Sequence, residues 1–432
     1  MNFSKRQIVM MVIGVSLAIL IVVLIVMNIA GNEQGNQPAK LKVWGIETAR
    51  SSKLLLDNFR IARPNIEIQY EQIDEASYDE RLLEALALGE GPDVFLVDNH
   101  SLLKNKAKLA ALNREDFGLI KLRELFPQVI EQDFVSAGKI YALPLYLDTL
   151  VLYYNKDFFD QAGIIYPPKT WPEFQQVIPL LKKSGFEKNI DRAGAAIGGS
   201  GGAIKRAADI LGLLMLQNGT QMVAPDLSRA TFAKDGKRGI GFQAFNFYLQ
   251  FANPLSSYFT WNDNLGDEGV SFSQGKTAMI FGYKSDLENI KKKNPFLNIG
   301  VTKVPQVDEE KAISYARYLG FGVSKRSRYQ TQAWDFVIFV STNKELQRQY
   351  SIQEGKRPAA LKSLIAEAIG DPEQEIFARQ ALIARSWVQV DGEKVDQIFS
   401  EAIRDANLDL RAADKILIQA EARVSEILRA AK

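Results

Sequence analysis

The 432-residue chain is 47% hydrophobic, enough apolar material for two or three packed lobes without covalent staples. It has no cysteine and one histidine, His100, so thiol nucleophiles, disulfides, cysteine zinc sites and multi-histidine metal sites are excluded, and no metal or cofactor is expected. The 53 basic and 51 acidic residues nearly cancel, which argues against nucleic acid as a partner, and the run Lys291–Lys293 reads as a solvated loop.

In chain order, Ile8 to Met27 carries no charge and as a helix would span ~30 Å, enough to cross a bilayer. Lys5 and Arg6 precede it, so the positive-inside rule keeps the N-terminus cytoplasmic and sends the rest of the chain outside. The apolar run is long and Asn28, Ile29, Ala30 match a small-residue cleavage site poorly, so residues 1–30 read as a retained single-pass membrane anchor. Residues 31–40, GNEQGNQPAK, are small and polar and read as a flexible leash to a folded body spanning 41–432.

That body opens with a strand at Leu41–Trp44, a helix over Ser52–Phe59, an alternating strand at Ile66–Ile73, a helix over Tyr78–Leu88 and the strand DVFLV ending at Val97. The order βαβαβ predicts a parallel sheet with helices on its faces. A second set begins at LVLYY (150–154). Asn155 then caps a helix that Gly163 ends, Pro167 and Pro168 forbid continuation, and Thr170 with Glu173 forms a capping box for the next helix. A strand at Ala193–Ile197, helices over 204–216 and 242–251, and a strand at Thr277–Gly282 complete a second α/β lobe. Near the C-terminus, Ile416, Leu417, Ala420, Val424, Ile427 and Leu428 recur at three-four spacing, an ordinary core stripe.

Several residues are candidate ligand contacts on their chemistry alone. Asp98, Asn99 and His100 follow a buried strand, where open α/β sheets place ligands, although Asp98 and Asn99 serve equally as turn or helix caps. Glu47 follows the first strand. Trp261 and Trp387 lie in contexts suited to stacking on a ligand ring, whereas Trp171 and Trp334 read as core and Trp44 as packing. Gly198–Gly202, GGSGG, formally satisfies the G-x-S-x-G pattern of a nucleophile elbow, but the sole histidine precedes Ser200 where that pattern requires it to follow. No enzyme is therefore expected. Gly201 and Gly202 read either as a turn bringing backbone amides to a ligand oxygen or as a flexible loop.

Five segments, GPDVFLVD (91–98), GKIYALPLYLDTLVLYYNKDFFDQAG (138–163), PPKTWPEF (167–174), FSQGKTAMIFG (272–282) and GFGVSKRSRYQTQAWDFVIFVST (320–342), follow one another as in the family 1 extracellular solute-binding proteins, which the chain resembles over nearly all of its length after residue 40. The resemblance implies a two-lobed α/β fold of the periplasmic-binding-protein type II class, with a hinge between the lobes. It places lobe one at about 41–147 and 306–350, and lobe two at about 148–305 and 351–432. It further implies that the chain binds a sugar or oligosaccharide between the lobes and delivers it to the permease subunits of an ABC transporter. Signalling to a membrane receptor, or carriage of a non-sugar solute, are the alternatives. Asp148 stands where the family holds sugar hydroxyls, with Tyr146 offering a ring face; the competing reading is an aspartate capped internally at the hinge. Tyr283 and Lys284 stand where the family commonly has an aromatic contact, without the tryptophan of its maltodextrin binders.

Overall fold

The computed structural model describes residues 38–185, 189–355 and 357–431. The anchor and most of the leash therefore lie outside the described residues, among which no helix is long and apolar enough to cross a membrane.

In chain order the elements that position the site are β1 (Ala39–Gly45), α1 (Ala49–Ala62), β2 (Ile66–Gln72), α2 (Tyr78–Leu88), β3 (Val94–Asp98), β4 (Leu109–Ala110), α3 (Gln128–Phe134), β5 (Ala142–Pro144), β6 (Asp148–Thr149) and β7 (Val151–Asn155). They continue as α4 (Lys156–Gln161), α5 (Trp171–Leu181), α6 (Ala207–Gln217), β8 (Met279–Gly282), α7 (Lys284–Lys293), β9 (Ile299–Lys303), β10 (Ser314–Arg317) and β11 (Leu319–Ser324). The last are α8 (Gln330–Thr342), α9 (Glu375–Leu382), β12 (Ala384–Arg385), α10 (Gly392–Leu408) and α11 (Ala413–Ala430).

The first lobe is a six-stranded sheet in the order β2-β1-β3-β11-β4, with β5 also paired to β11. Its β1–β2 and β1–β3 pairs are parallel, as the βαβαβ pattern requires, but β11 inserts antiparallel between β3 and β4, so the sheet is mixed. The second lobe departs further from a parallel sheet, because β7 is flanked on both sides by antiparallel partners, β8 and β9. Ala193–Ile197, expected as a strand, contributes only one bridge, from Ala193 to Thr277. The stretch between the two sheets follows its local signals closely. Asn155 Oδ1 accepts from the Phe158 amide at the start of α4, Gly163 takes φ +68°, and Thr170 Oγ1 caps α5. Glu173 reaches back to the Lys169 amide at 2.7 Å.

Two separate apolar cores define the lobes. The chain passes from the first core to the second between Leu147 and Leu150, returns between Tyr315 and Ala316, and leaves again between Ala384 and Trp387. Of the residues after 350, expected in the second lobe, those from Ala360 to Ala384 pack mainly in the first core, among them Ala360, Leu361, Leu364 and Ile365, whereas those from Trp387 onward join the second as expected. Helical spacing announces these residues as buried without saying which core receives them. The C-terminal stripe does enter the second core, through Leu417, Ala420, Val424 and Leu428.

The three crossings pair with one another as a short sheet, β12-β10-β6. Beneath it Asp133, on α3, ties two crossings to the first lobe. It accepts from Tyr318 Oη at 2.8 Å, from Asn99 Nδ2 at 2.9 Å and from Ser386 Oγ. Burial outweighs these three donors and pushes its pKa from the ordinary 3.8 up to about 7. A carboxyl that binds its proton more tightly when folded stabilises the fold at low pH and loses that contribution as pH rises between those two values. Asp133 should therefore contribute a fall in the melting temperature of the ligand-free protein as pH is raised through this window, opposite in sign to the contribution of the buried neutral His100, and Asp133→Asn should remove that component of the slope. Parallel melting profiles for the two proteins would show that Asp133 does not titrate there.

Candidate functional site

A cleft of about 520 Å³ opens between the lobes, directly over the crossing strands. The first lobe supplies Ile46, Glu75, Asp98, Tyr146 and Arg357 to it, and the second Lys205, Arg206, Tyr283, Ser285, Asp286, Asn289 and Asp396. Asp148 and Arg317 come from the hinge itself, on β6 and β10, where they sit opposite each other in register. The larger crevice, of about 900 Å³, has a mainly aliphatic floor of Leu103, Leu109, Leu227 and Leu428 with a lysine rim, and lacks convergent carboxylates and guanidinium groups.

Asp148 is the structural pivot of this arrangement. Its Oδ1 accepts from the amides of Thr149 and Lys284, both at 3.0 Å, and its Oδ2 accepts from Ser285 at 3.2 Å. It therefore caps the N-terminus of α7 from the hinge strand, placing a carboxylate at the positive end of the helix dipole. Burial raises its pKa to about 6, against the lowering effect of these amides. The capped turn presents Tyr283, Ser285 and Asp286 to the cleft. Asp286 in turn receives Arg206, through Nε at 3.0 Å and Nη2 at 2.7 Å, and that guanidinium lies 4.7 Å from the centre of the Tyr283 ring. On the opposite wall Arg357 stacks 4.4 Å from the Tyr146 ring.

Arg317 occupies the floor. Its Nη1 donates to Asp396 at 2.8 Å and to Asp209 at 3.4 Å, and Asp98 bears on the same guanidinium electrostatically. Burial pushes the Asp98 carboxyl up, partly offset by Arg317 and by the His100 amide that Asp98 accepts at 2.8 Å. His100 itself is fully buried and held neutral, its pKa pushed down to about 3 by burial.

Of the residues singled out from sequence, Asp98, Tyr146, Asp148 and Tyr283 meet at this cleft. The others do not line it. Asn99 is buried in the hinge knot, accepting from the Tyr318 amide and donating to Asp133. Glu47 is buried beside the cleft wall, where burial raises its pKa against the pull of Arg357. The Lys284 ammonium turns onto the Phe377 ring, 5.3 Å from its centre. Trp261 is fully buried in the second core and Trp387 packs against Phe399 in the same core, so neither is a stacking platform. Gly201 donates its amide to Ser400 Oγ at 2.9 Å, and a Cβ on Gly202 would meet only Ser200. The GGSGG turn is anchored at Gly201 and at Ser200, whose hydroxyl donates to Asp263 at 2.6 Å. Arg206, Arg317, Arg357 and Asp396 were not anticipated.

With this geometry in view, the comparisons are decisive on family. Residues 46–347 match the profile of the bacterial extracellular solute-binding proteins. The chain belongs to that family. The galactooligosaccharide-binding protein of Bacillus subtilis is 25% identical over 280 residues, 64% of this chain and 62% of the relative. The maltotriose-binding protein of Pyrococcus abyssi is 21% identical over 343 residues, 78% of this chain and 66% of the relative. Among solved structures, the cyclic alpha-maltosyl-1,6-maltose binding protein of Arthrobacter globiformis superposes with a TM-score of 0.73 at 17% identity, covering 91% of this chain and all of that one. The two-lobed fold of this solute-binding protein is thus shared with sugar-binding structures.

Two substitutions separate architecture from recognition. Asp148→Ala strands the buried Lys284 amide and removes the cap on the Ser285 amide, and should lower the stability of the ligand-free protein by roughly 1–3 kcal/mol, measured by chemical denaturation; an unchanged stability would deny Asp148 its capping role. Trp261→Ala should destabilise by roughly 3–5 kcal/mol while ligand affinity holds, and a selective loss of affinity would return Trp261 to the binding surface.

Proposed function

We propose that this chain is the extracytoplasmic binding component of an ABC importer, taking a small carbohydrate into the interlobe cleft and presenting it to the permease subunits. The observation that carries the reading is the cleft itself, a concave site over the hinge into which both lobes and the crossing strands project charged and hydroxyl groups. The sugar ligands named for the related proteins are consistent with it.

The reading assigns ligand contact to Asp98, Arg317, Asp396, Ser285 and the Tyr283 hydroxyl. Ligand hydroxyls bridging Asp98 on one lobe and Ser285 or Asp396 on the other stabilise the closed arrangement by their differential affinity for it. No step of covalent chemistry is involved. Residues 1–30 would hold the protein at the membrane, and the ten-residue leash would reach ~16–19 Å as a flexible chain, keeping the bound solute close to its transporter.

Titration calorimetry of the full chain against a panel of mono- and oligosaccharides tests the ligand class. A binding sugar should also raise stability by ~2.7 kcal/mol at a hundredfold excess over Kd. Absence of binding across the panel would remove the carbohydrate assignment. Mass determination of protein extracted from membranes tests the anchor: a mature chain beginning near Asn32 would refute it.

A further inference from the structure

The charges in the cleft are not balanced, and the imbalance is concentrated at its floor. Among the described residues Arg317 is the one cation at the floor, and three carboxylates, Asp98, Asp209 and Asp396, bear on it. The other guanidinium groups are engaged elsewhere: Arg206 is held by two nitrogens on Asp286, and Arg357 is stacked on Tyr146 with Glu354 at 4.0 Å. Lys205 reaches toward Asp286 at 3.9 Å, with its side chain 65% exposed. Hydrogen-bonding groups are also left over, one a carboxylate acceptor and one a phenol that can donate or accept. Asp209 Oδ2 and the Tyr283 hydroxyl are both buried without a hydrogen-bond partner among the described residues, and Tyr283 lines the cleft.

Deepening the carbohydrate reading, and resting on it, we propose that the ligand is an amino sugar whose protonated amine sits at the cleft floor between Asp98 of the first lobe and Asp396 of the second, with the Tyr283 hydroxyl completing its shell. An ammonium supplies three donors and a positive charge to a site where three carboxylates share the single guanidinium of Arg317. A sugar hydroxyl supplies one donor and leaves the carboxylates repelling one another. An acidic sugar would add to the repulsion. Burial raises the carboxyls of both Asp98 and Asp396, the latter to about 6, and the charges of Asp209 and Asp98 add to the rise at Asp396, a cost that a further cation beside them reduces.

The aromatic inventory points the same way. All five tryptophans, Trp44, Trp171, Trp261, Trp334 and Trp387, are buried in the two cores. Of the three tyrosines lining the cleft, Tyr146 and Tyr283 carry guanidinium groups, and Tyr318 is buried with its ring on Phe134 and its hydroxyl on Asp133. Recognition at this floor must therefore come from polar and charged contacts rather than from stacking a ring on a bare aromatic. Because Asp98 and Asp396 belong to different lobes, a cation held by both also links the lobes, so the contact that gives specificity is the one that favours closure.

Matched sugars that differ only in amine against hydroxyl test this: glucosamine with glucose, and the β-1,4-linked glucosamine disaccharide with cellobiose, titrated calorimetrically into the full chain. The amino member of a pair should bind at least about tenfold tighter, and Asp396→Asn should collapse that ratio. Asp98→Asn, on the other lobe, should collapse it likewise and serves if the first variant does not fold. A hydroxyl member binding as tightly as its amino partner, or a ratio untouched by either substitution, overturns the amine while leaving the carbohydrate reading intact. Failure of all four sugars and of the wider panel up to about 10 mM overturns both.

Discussion

One buried carboxylate sets the relation between hinge and cleft. Asp148 lies on the first crossing strand yet accepts the first two amides of α7, which belongs to the second lobe. Those amides have no intrahelical partner and would be costly to bury unpaired. The hinge strand and the helix end are therefore one unit, and a rotation at the crossings carries Tyr283, Ser285 and Asp286 with it. The register β6–β10 then puts Arg317 opposite Asp148, so the guanidinium emerges at the cleft floor. The polarity of the cleft follows: a charge brought there must be paired, and Asp209 on α6 and Asp396 on α10 converge on it from the second lobe.

Local grammar carried most of the fold. Asn155, Gly163, Thr170 and Glu173 act through neighbours only a few residues away, so their roles are legible without tertiary context. The parallel β1–β2–β3 unit was legible for the same reason. What sequence could not show was the late insertion of β11 between β3 and β4, or which core would receive Leu361 and Ile365, because both depend on contacts hundreds of residues apart. For the site, Asp98, Tyr146, Asp148 and Tyr283 were among the residues singled out, and Asp148 forms the internal cap that was the competing reading of it. Trp261 and Trp387 misled because polar neighbours along the chain say nothing about where a loop folds. A usable signal was present for the missed residues. Arg317 in SYARYLG and Asp209 in AADILGLLML are single charges within apolar runs, and such charges must find each other or a ligand.

The arrangement also explains why Tyr146 and Tyr283 matter without acting as bare platforms. Each holds a guanidinium in place, Arg357 on one wall and Arg206 on the other, and a stacked arginine is pre-organised, losing less freedom when it donates a hydrogen bond. The family shares a hinge and a cleft; within that frame the charge pattern of the floor, set by a few scattered side chains, is where one member can differ from another.

The position of β11 has a consequence for how the chain matures. A chain exported from its N-terminus presents β1, β2 and β3 long before residues 319–324 arrive, and until then β3 has an open, apolar edge of Val94, Phe95, Leu96 and Val97. Such an edge is a template for pairing with other chains. The second lobe's sheet, by contrast, is complete once β9 has emerged. The later-encoded lobe's sheet is thus complete before the first-encoded one, although its core still waits for α10 and α11, and the first lobe depends for the interval on whatever shields its β3 edge.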